Sequence, residues 1–202
     1  MVINHWISVN NLTEQRPVCS GSPAIQLPAD TLTPEALYSA LHSSYPKFYK
    51  MDRLCKWAWA GAEYLCSGNT LPYEGYDKNN IAVCLSTSYG CIDVDKKYLD
   101  GIAVPSPALF VYTLPNIMLG EICIRHGFKG EQACMVSDTF DAEELFFTVN
   151  GLLQRGMGAC LCGWVDVFDE RYDVCMFWVS KKGAGLKFSP AILQGIYAGR
   201  IK

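Results

Sequence analysis

Several features that mark common classes of protein are missing from this sequence of 202 residues. Only 18% of the residues are charged, the net charge is -3, and the basic residues form no stripe. Because proteins that bind nucleic acid usually carry a concentrated positive surface, we expect no nucleic-acid partner. No apolar run approaches the roughly 20 residues needed to cross a bilayer, so we also expect no membrane span.

The N-terminus lacks the basic region and the long apolar core of a secretory signal. We therefore expect a cytoplasmic protein whose ten cysteines are mostly buried and reduced rather than paired in disulfides. No pair of cysteines has the spacing of a zinc knuckle. Cys160 and Cys162 are separated by one residue, and we expect them to point to opposite faces of a strand. The sequence thus predicts neither a metal site nor another cofactor.

Apolar residues, in contrast, make up 50% of the sequence, which is high for a soluble chain. A chain of this length is one domain of ordinary size with a substantial core, so we expect a single domain over residues 1–202. The apolar content also indicates that much surface is buried inside the domain or against a partner.

The periodicity of the apolar residues predicts an α/β protein. Residues 10–30 are rich in proline and glycine and are expected to form a long loop. Thr33 followed by Pro34 is a typical helix start, with threonine as the N-cap. Strands are predicted over 2–9, 81–85, 132–136, 159–165 and 174–179, and helices over 34–42, 51–66, 92–99, 117–125, 141–155 and 189–199.

Residues 130–166 are the centre of this prediction. The short apolar run 132–136 suits a buried strand, and from Asp141 the apolar residues recur at helical spacing. A second apolar run at 159–165 suits another buried strand. Strand, tight turn, helix and strand make a βαβ unit, which predicts parallel strands and a right-handed crossover.

The turn Ser137-Asp138-Thr139 lies where the first of these strands ends and the helix begins. A side chain at such an elbow is a common nucleophile, because the helix N-terminus stabilises a developing anion. Ser, Asp and Thr are also the usual N-caps, whose side chains only accept hydrogen bonds from free backbone N–H groups. The local sequence alone favours the N-cap interpretation.

Three segments carry a resemblance to a known family. Residues 51–58 read Met-Asp-Arg-Leu-Cys-Lys-Trp-Ala, and residues 152–163 contain Leu-Leu-Gln-Arg-Gly and then Leu-Cys-Gly. Residues 106–130 contain Ser-Pro, then Tyr-Thr-Leu-Pro-Asn, and end in Ile-Arg-His-Gly-Phe-Lys-Gly. These segments are similar to the N-terminal half of the β-ketoacyl-acyl carrier protein synthases of the thiolase-like superfamily, and to stand-alone ketosynthase N-terminal-like proteins.

The resemblance implies an α/β, thiolase-like half domain with a mixed, mostly parallel sheet and helices packed on it. It also implies that the elbow is the position of the family's nucleophilic cysteine. Counting forward from Gly130 and backward from Gly156 places that position at Thr139. Cys134, which lies upstream in the predicted strand, is the alternative nucleophile if the alignment slips.

The family uses two further residues, usually histidines, from a C-terminal half that this chain does not contain. None of its three histidines, His5, His42 and His126, stands in a matching context. A threonine hydroxyl is inert without a positioned base, so the chemistry of the family is expected to be absent. The sheet face that the second half would cover must be shielded by a partner, by a second copy, or by residues 10–30 and 180–202.

These features predict an accessory, catalytically inactive β-ketoacyl synthase-like protein in a condensing system of fatty-acid, polyketide or aryl-polyene type. The expected partners are an acyl carrier protein and either a ketosynthase subunit or a second copy, bound through residues 117–125 and 132–136. One alternative is a 3-oxoacyl-acyl carrier protein synthase active only with a partner subunit. Another is an acyl- or carrier-binding module, in which Lys181, Lys182 and Lys187 contact an acidic carrier.

Overall fold

The computed structural model describes residues 1–12, 18–20, 32–67 and 71–201, which form one sheet with helices on both faces. The strands are β1 (Val2–Asn10), β2 (Val18–Ser20), β3 (Ile81–Thr87), β4 (Gln132–Val136), β5 (Ala159–Phe168), β6 (Arg171–Ser180) and β7 (Leu186–Lys187). The helices are α1 (Pro34–Ala40), α2 (Arg53–Leu65), α3 (Ile92–Asp100), α4 (Pro107–Phe110), α5 (Ile117–His126), α6 (Ala142–Gln154) and α7 (Pro190–Tyr197). Short 3-10 turns lie at Pro46–Lys50, Lys78–Asn80 and Val111–Thr113.

The strands follow the order β2-β1-β6-β5-β3-β4, and β7 also pairs with β1. β4 and β5 flank β3 and run parallel to it, as the βαβ prediction requires. The other pairings between described strands are antiparallel, so the sheet is mixed, as predicted, but not mostly parallel. One reason is the turn between β5 and β6, where Phe168 pairs with Arg171. A loop this short can join only antiparallel strands.

Both faces of the sheet are covered by helices. Side chains alternate along each strand, so Val83 and Met176 pack under α2 and α5, while Ala82 and Phe177 pack under α6 and α7. Leu193 of α7 is fully buried in the second of these clusters. The sequence left three possible covers for a bare sheet face: a partner, a second copy, or residues 10–30 and 180–202. Because Leu193 belongs to the last segment, residues 180–202 shield part of the second face.

The prediction that Cys160 and Cys162 point to opposite faces is wrong. Residues two apart in a strand share a face, and both thiols are buried in the α6 cluster beside Cys84 and Cys175. Burial raises the pKa of all four thiols, which keeps them protonated and unreactive. Among the described residues, no group of three or more His, Cys, Asp and Glu side chains could hold a metal ion.

Most predicted elements are present with ends shifted by a few residues, and two differ in kind. The predicted loop 10–30 contains the short strand β2, and its other residues after Leu12 lie outside the described part of the chain. β4 is not a buried strand but lies at the edge of the sheet, with Gln132 and Val136 exposed. Its position depends on the order of the strands, which the local sequence does not contain.

No single helix in the described ranges is long and apolar enough to cross a membrane. The segments Pro107–Thr113 and Ile117–His126 reach that length and composition only together, and they meet at 101°.

Candidate functional site

The elbow between β4 and α6 is where the sequence places the candidate nucleophile. β4 is held against β3, and the backbone N–H of Ser137 donates to the carbonyl of Thr87 at 3.1 Å. Thr139 follows this contact, is exposed, and borders a cavity of about 340 Å³ between the start of α6 and α7. The cavity therefore lies at the carboxyl ends of the parallel strands, where α/β proteins commonly bind ligands.

The N-cap of α6 is Asp141, so the prediction that Ser137, Asp138 or Thr139 caps this helix is wrong. The Asp141 carboxylate accepts hydrogen bonds from the backbone N–H groups of Glu143 and Glu144, both at 2.9 Å. The cap lies two residues further along, because the chain bends at Asp138 and Thr139 and the helix begins only after Phe140, which is buried. Two of the first N–H groups of the helix, those of Glu143 and Glu144, are thus already occupied.

The surroundings of Thr139 are acidic. Asp138 precedes it, and Asp141, Glu143 and Glu144 lie at the start of α6. None of the described residues that border the cavity is basic. In the described part of the chain, no residue forms a hydrogen bond with the Thr139 side chain. Among the described residues, therefore, no base is hydrogen-bonded to the threonine hydroxyl, and no cation borders the cavity to stabilise a negative charge.

Cys134, the alternative nucleophile, lies in the middle of β4 and pairs with Leu85 of β3. Its side chain packs against the cluster under α2 and α5, whereas its neighbours Ala133 and Met135 pack on the α6 side. Partial burial raises the pKa of its thiol, which opposes formation of the thiolate. Cys134 and the elbow cavity thus lie on different faces of the sheet.

The histidines give the elbow no base. His5 lies within β1, and His42 follows α1. His126 ends α5 and is buried beside Glu63, with its Nε2 atom 3.5 Å from a carboxylate oxygen but without a hydrogen bond. Burial lowers the pKa of His126 to about 4. None of the three borders the elbow cavity.

Sequence reasoning missed the contacts that hold α7 beside the elbow. The Tyr197 hydroxyl donates to the Asp173 carboxylate at 2.6 Å, and the indole N–H of Trp164 donates to the same oxygen at 3.1 Å. The ring of Tyr197 stacks on Phe140, with the centroids 4.4 Å apart. The sequence did contain one signal for these contacts, an Asp at the start of a buried strand. Such a carboxylate requires hydrogen-bond donors.

The predicted carrier-binding lysines lie at one end of the sheet. Lys181 and Lys182 follow the end of β6, and Lys187 pairs with Val2 at the start of β1. Because β6 is antiparallel to β5, this end of the sheet is opposite to the carboxyl ends of β3, β4 and β5. Lys187, however, is only three residues before Pro190, which borders the elbow cavity.

No family model matches this sequence, and no curated protein matches it. The structure is similar to "The ishigamide ketosynthase/chain length factor", with a TM-score of 0.61, 14% identity, and coverage of 91% of this chain and 63% of that chain. It is also similar to "Ketosynthase (ApeO) in Complex with its Chain Length Factor (ApeC)" from Xenorhabdus doucetiae, with a TM-score of 0.60, 13% identity, and coverage of 100% and 93%.

A third similar structure is a type II PKS acyl-carrier protein in complex with its ketosynthase bound to the hexaketide, AntDE:AntF. Its TM-score is 0.59 at 11% identity, with coverage of 89% of this chain and 62% of that chain. The chain thus spans less than two thirds of two of these matched chains. Identities this low establish the fold alone, which is that of these ketosynthase and chain length factor structures.

Proposed function

We propose that the protein is an accessory, catalytically inactive β-ketoacyl synthase-like subunit of a condensing system that uses an acyl carrier protein. The observation that carries this proposal is the chemistry of the elbow. The resemblance implies that Thr139 stands at the position of the family's nucleophile, and Asp141 occupies two of the free N–H groups at the start of α6. Acyl transfer needs an activated nucleophile and a donor for the oxyanion, but no described residue is hydrogen-bonded to the Thr139 side chain and none that borders the cavity is basic.

The charges at the start of α6 act against catalysis as well. Two like charges 4 Å apart repel by about 1 kcal/mol in water and about 4 kcal/mol near a protein surface. An oxyanion formed at Thr139 would be repelled by Asp138, Asp141 and Glu143 together. Because each ~1.4 kcal/mol changes a rate tenfold, this arrangement slows acyl transfer further.

The exposed edge of the sheet supports a role beside a partner subunit. β4 pairs only with β3 among the described strands, so its outer N–H and C=O groups are free to pair with a strand of another chain. Val136 on this edge is 68% exposed, and Phe147 on the neighbouring α6 is 79% exposed. We propose that this edge and α5 contact a ketosynthase, and that a second copy is the alternative partner.

The structural neighbours support the class of system. Two are ketosynthases described together with a chain length factor, and the third is a ketosynthase complex with an acyl carrier protein. A polyketide-type pathway therefore has more support than fatty-acid synthesis. We also place the protein in the cytoplasm, where buried thiols such as Cys160 remain reduced.

The test is an intact-mass measurement after incubation with acetyl- and malonyl-loaded acyl carrier protein. Wild type, Cys134→Ala and Thr139→Ala are compared, each alone and mixed with a ketosynthase from the same organism. We expect no acyl adduct on this chain in any mixture. An adduct that is lost in only one of the two variants would identify a nucleophile and overturn the proposal in favour of an acyltransferase that works with its partner.

A further inference from the structure

A second cavity, of about 500 Å³, lies where α2 begins and is closed by α3 and α4. Its apolar lining, including Met51, Val94 and Leu109, packs with the cluster under α2 and α5, on the face of the sheet away from the elbow. No residue borders both cavities. The volume is within the range of about 300–1,000 Å³ that is typical of small-molecule sites.

The lining of this cavity is rich in cations although the chain as a whole is acidic. Lys50, Arg53, Lys56 and Lys97 come from three separate elements and meet there. Only two described carboxylates border the same cavity, those of Asp52 and Asp93. Converging positive charges of this kind, in a chain with a net charge of -3, favour an anionic ligand.

The two carboxylates are engaged elsewhere. Asp52 is the N-cap of α2 and accepts from the N–H groups of Leu54 at 3.0 Å and Cys55 at 3.2 Å. Asp93 accepts from the N–H of Asp169 with both oxygens, at 3.1 and 3.0 Å. Both carboxylates keep their charge, but only Asp93 forms an ion pair with a cation of the lining, Arg53.

Of the four cations, one is held by a close ion pair and three are unpaired or loosely paired among the described residues. Arg53 lies 3.9 Å from Asp93, a long contact, and Lys56 is bound to Glu35 at 2.7 Å. Lys50 and Lys97 form no ion pair with any described residue. Two lysines and a loosely held arginine are thus available to a negative group.

From these observations we propose that this cavity binds a small molecule with an anionic head, a phosphate monoester or a carboxylate, on a short apolar arm. Lys50, Arg53 and Lys97 hold the head, and the arm lies against Met51, Leu109 and the ring of Tyr112. The site is independent of the proposed accessory function, because it shares no residue with the elbow or with β4.

The test uses amide NMR of the full ¹⁵N-labelled chain titrated with hexyl phosphate, with hexanoate, and with hexanol as the uncharged arm. We expect saturable shifts at the start of α2 and in α3 with hexyl phosphate, hexanoate or both, and shifts at least about tenfold weaker with hexanol. A Lys50→Gln/Lys97→Gln double variant should weaken binding of the anion about tenfold, and added salt should do the same.

A Lys181→Gln/Lys182→Gln double variant is the matched control, because it removes two exposed lysines far from this cavity. It should bind hexyl phosphate as wild type does. The proposal is overturned if hexanol binds as tightly as both anions, if neither anion gives saturable shifts, or if the control pair weakens binding as much as the Lys50 and Lys97 pair. Because the measurement does not involve a carrier or a ketosynthase, its failure leaves the accessory function standing.

Discussion

At the scale of single residues, the charges around the elbow oppose reactivity. Thr139 lies between a strand and a helix, where a thiolate is usually stabilised by free N–H groups. Here the Asp141 carboxylate accepts from two of those groups, and further carboxylates lie at the start of α6. Restoring a thiol should therefore not restore a nucleophile.

This argument predicts the behaviour of Thr139→Cys. We expect the new thiol to have an apparent pKa above the ordinary value of about 8.5, because nearby carboxylates disfavour the thiolate. The measurement is the rate of iodoacetamide labelling against pH, located by peptide mass spectrometry. Adding Asp141→Ser keeps a capping oxygen but removes a charge, and it should lower that pKa. A thiol pKa well below 8.5 in Thr139→Cys alone would show that the elbow activates nucleophiles after all.

A second prediction at this scale concerns His126 and the pH dependence of the unfolding free energy. Burial lowers its pKa to about 4, so the folded protein binds a proton less readily than the unfolded chain does. Its contribution to the unfolding free energy is therefore complete above about pH 6.5 and is lost as the pH falls to about 4, by roughly 3 kcal/mol in total. Denaturant titrations at several pH values measure this loss.

The variant His126→Phe should remove most of that pH dependence, because a phenyl ring can keep the stacking on Phe128, whose centroid is 5.2 Å away. His42→Asn, at an exposed position, is the control and should follow wild type. If wild type and His126→Phe lose stability in parallel between about pH 6.5 and 4, the buried imidazole is not the source.

At the scale of elements, α7 depends on its contacts. A helix of eight residues is too short to be stable alone, so its position beside the elbow rests on Leu193, Ile196 and Tyr197. Tyr197 also satisfies Asp173, whose pKa is raised by burial. If the tyrosine hydroxyl is removed, the Trp164 indole is the one donor that remains to this carboxylate among the described residues.

Tyr197→Phe should therefore lower the unfolding free energy by about 1–3 kcal/mol at neutral pH. It should also speed amide exchange in α7 more than in α6, which hydrogen-exchange mass spectrometry resolves. Tyr89→Phe, at an exposed ring stacked on Phe168, is the matched control and should change neither quantity. Equal exchange in α7 of wild type and Tyr197→Phe would mean that apolar packing alone holds this helix.

The elements themselves were largely predictable from periodicity, because α2 and α6 each bury one apolar stripe and β5 and β6 bury both faces. The edge position of β4 was not predictable, since it depends on which strands pair with β3. The assignment of Thr139 to the nucleophile position came from the resemblance to the β-ketoacyl synthases. Its acidic surroundings could be read from the sequence, but the contact of Tyr197 with Phe140 joins residues distant in the chain and could not.

At the scale of the whole molecule, the described part of the chain presents its candidate surfaces at the carboxyl ends of the parallel strands and along one edge. The elbow cavity and the cationic cavity lie on opposite faces, and β4 forms the edge between them. A partner that pairs with β4 would therefore lie beside the elbow without covering the lysines that follow β6.

This arrangement predicts that a single charge on β4 separates folding from assembly. Val136→Lys should leave the unfolding free energy nearly unchanged because the side chain is 68% exposed. It should weaken binding to a ketosynthase from the same organism, because it places a charge in the proposed interface. Light scattering after size exclusion measures both the mass of the complex and its loss. Val104→Lys, at a position that is 86% exposed and away from β4, should bind as wild type does. Loss of the complex in Val104→Lys but not in Val136→Lys would contradict this prediction and place the interface at α3 and α4.

If wild type measured alone has twice the mass of one chain, and Val136→Lys has the mass of a single chain, the partner at β4 is a second copy.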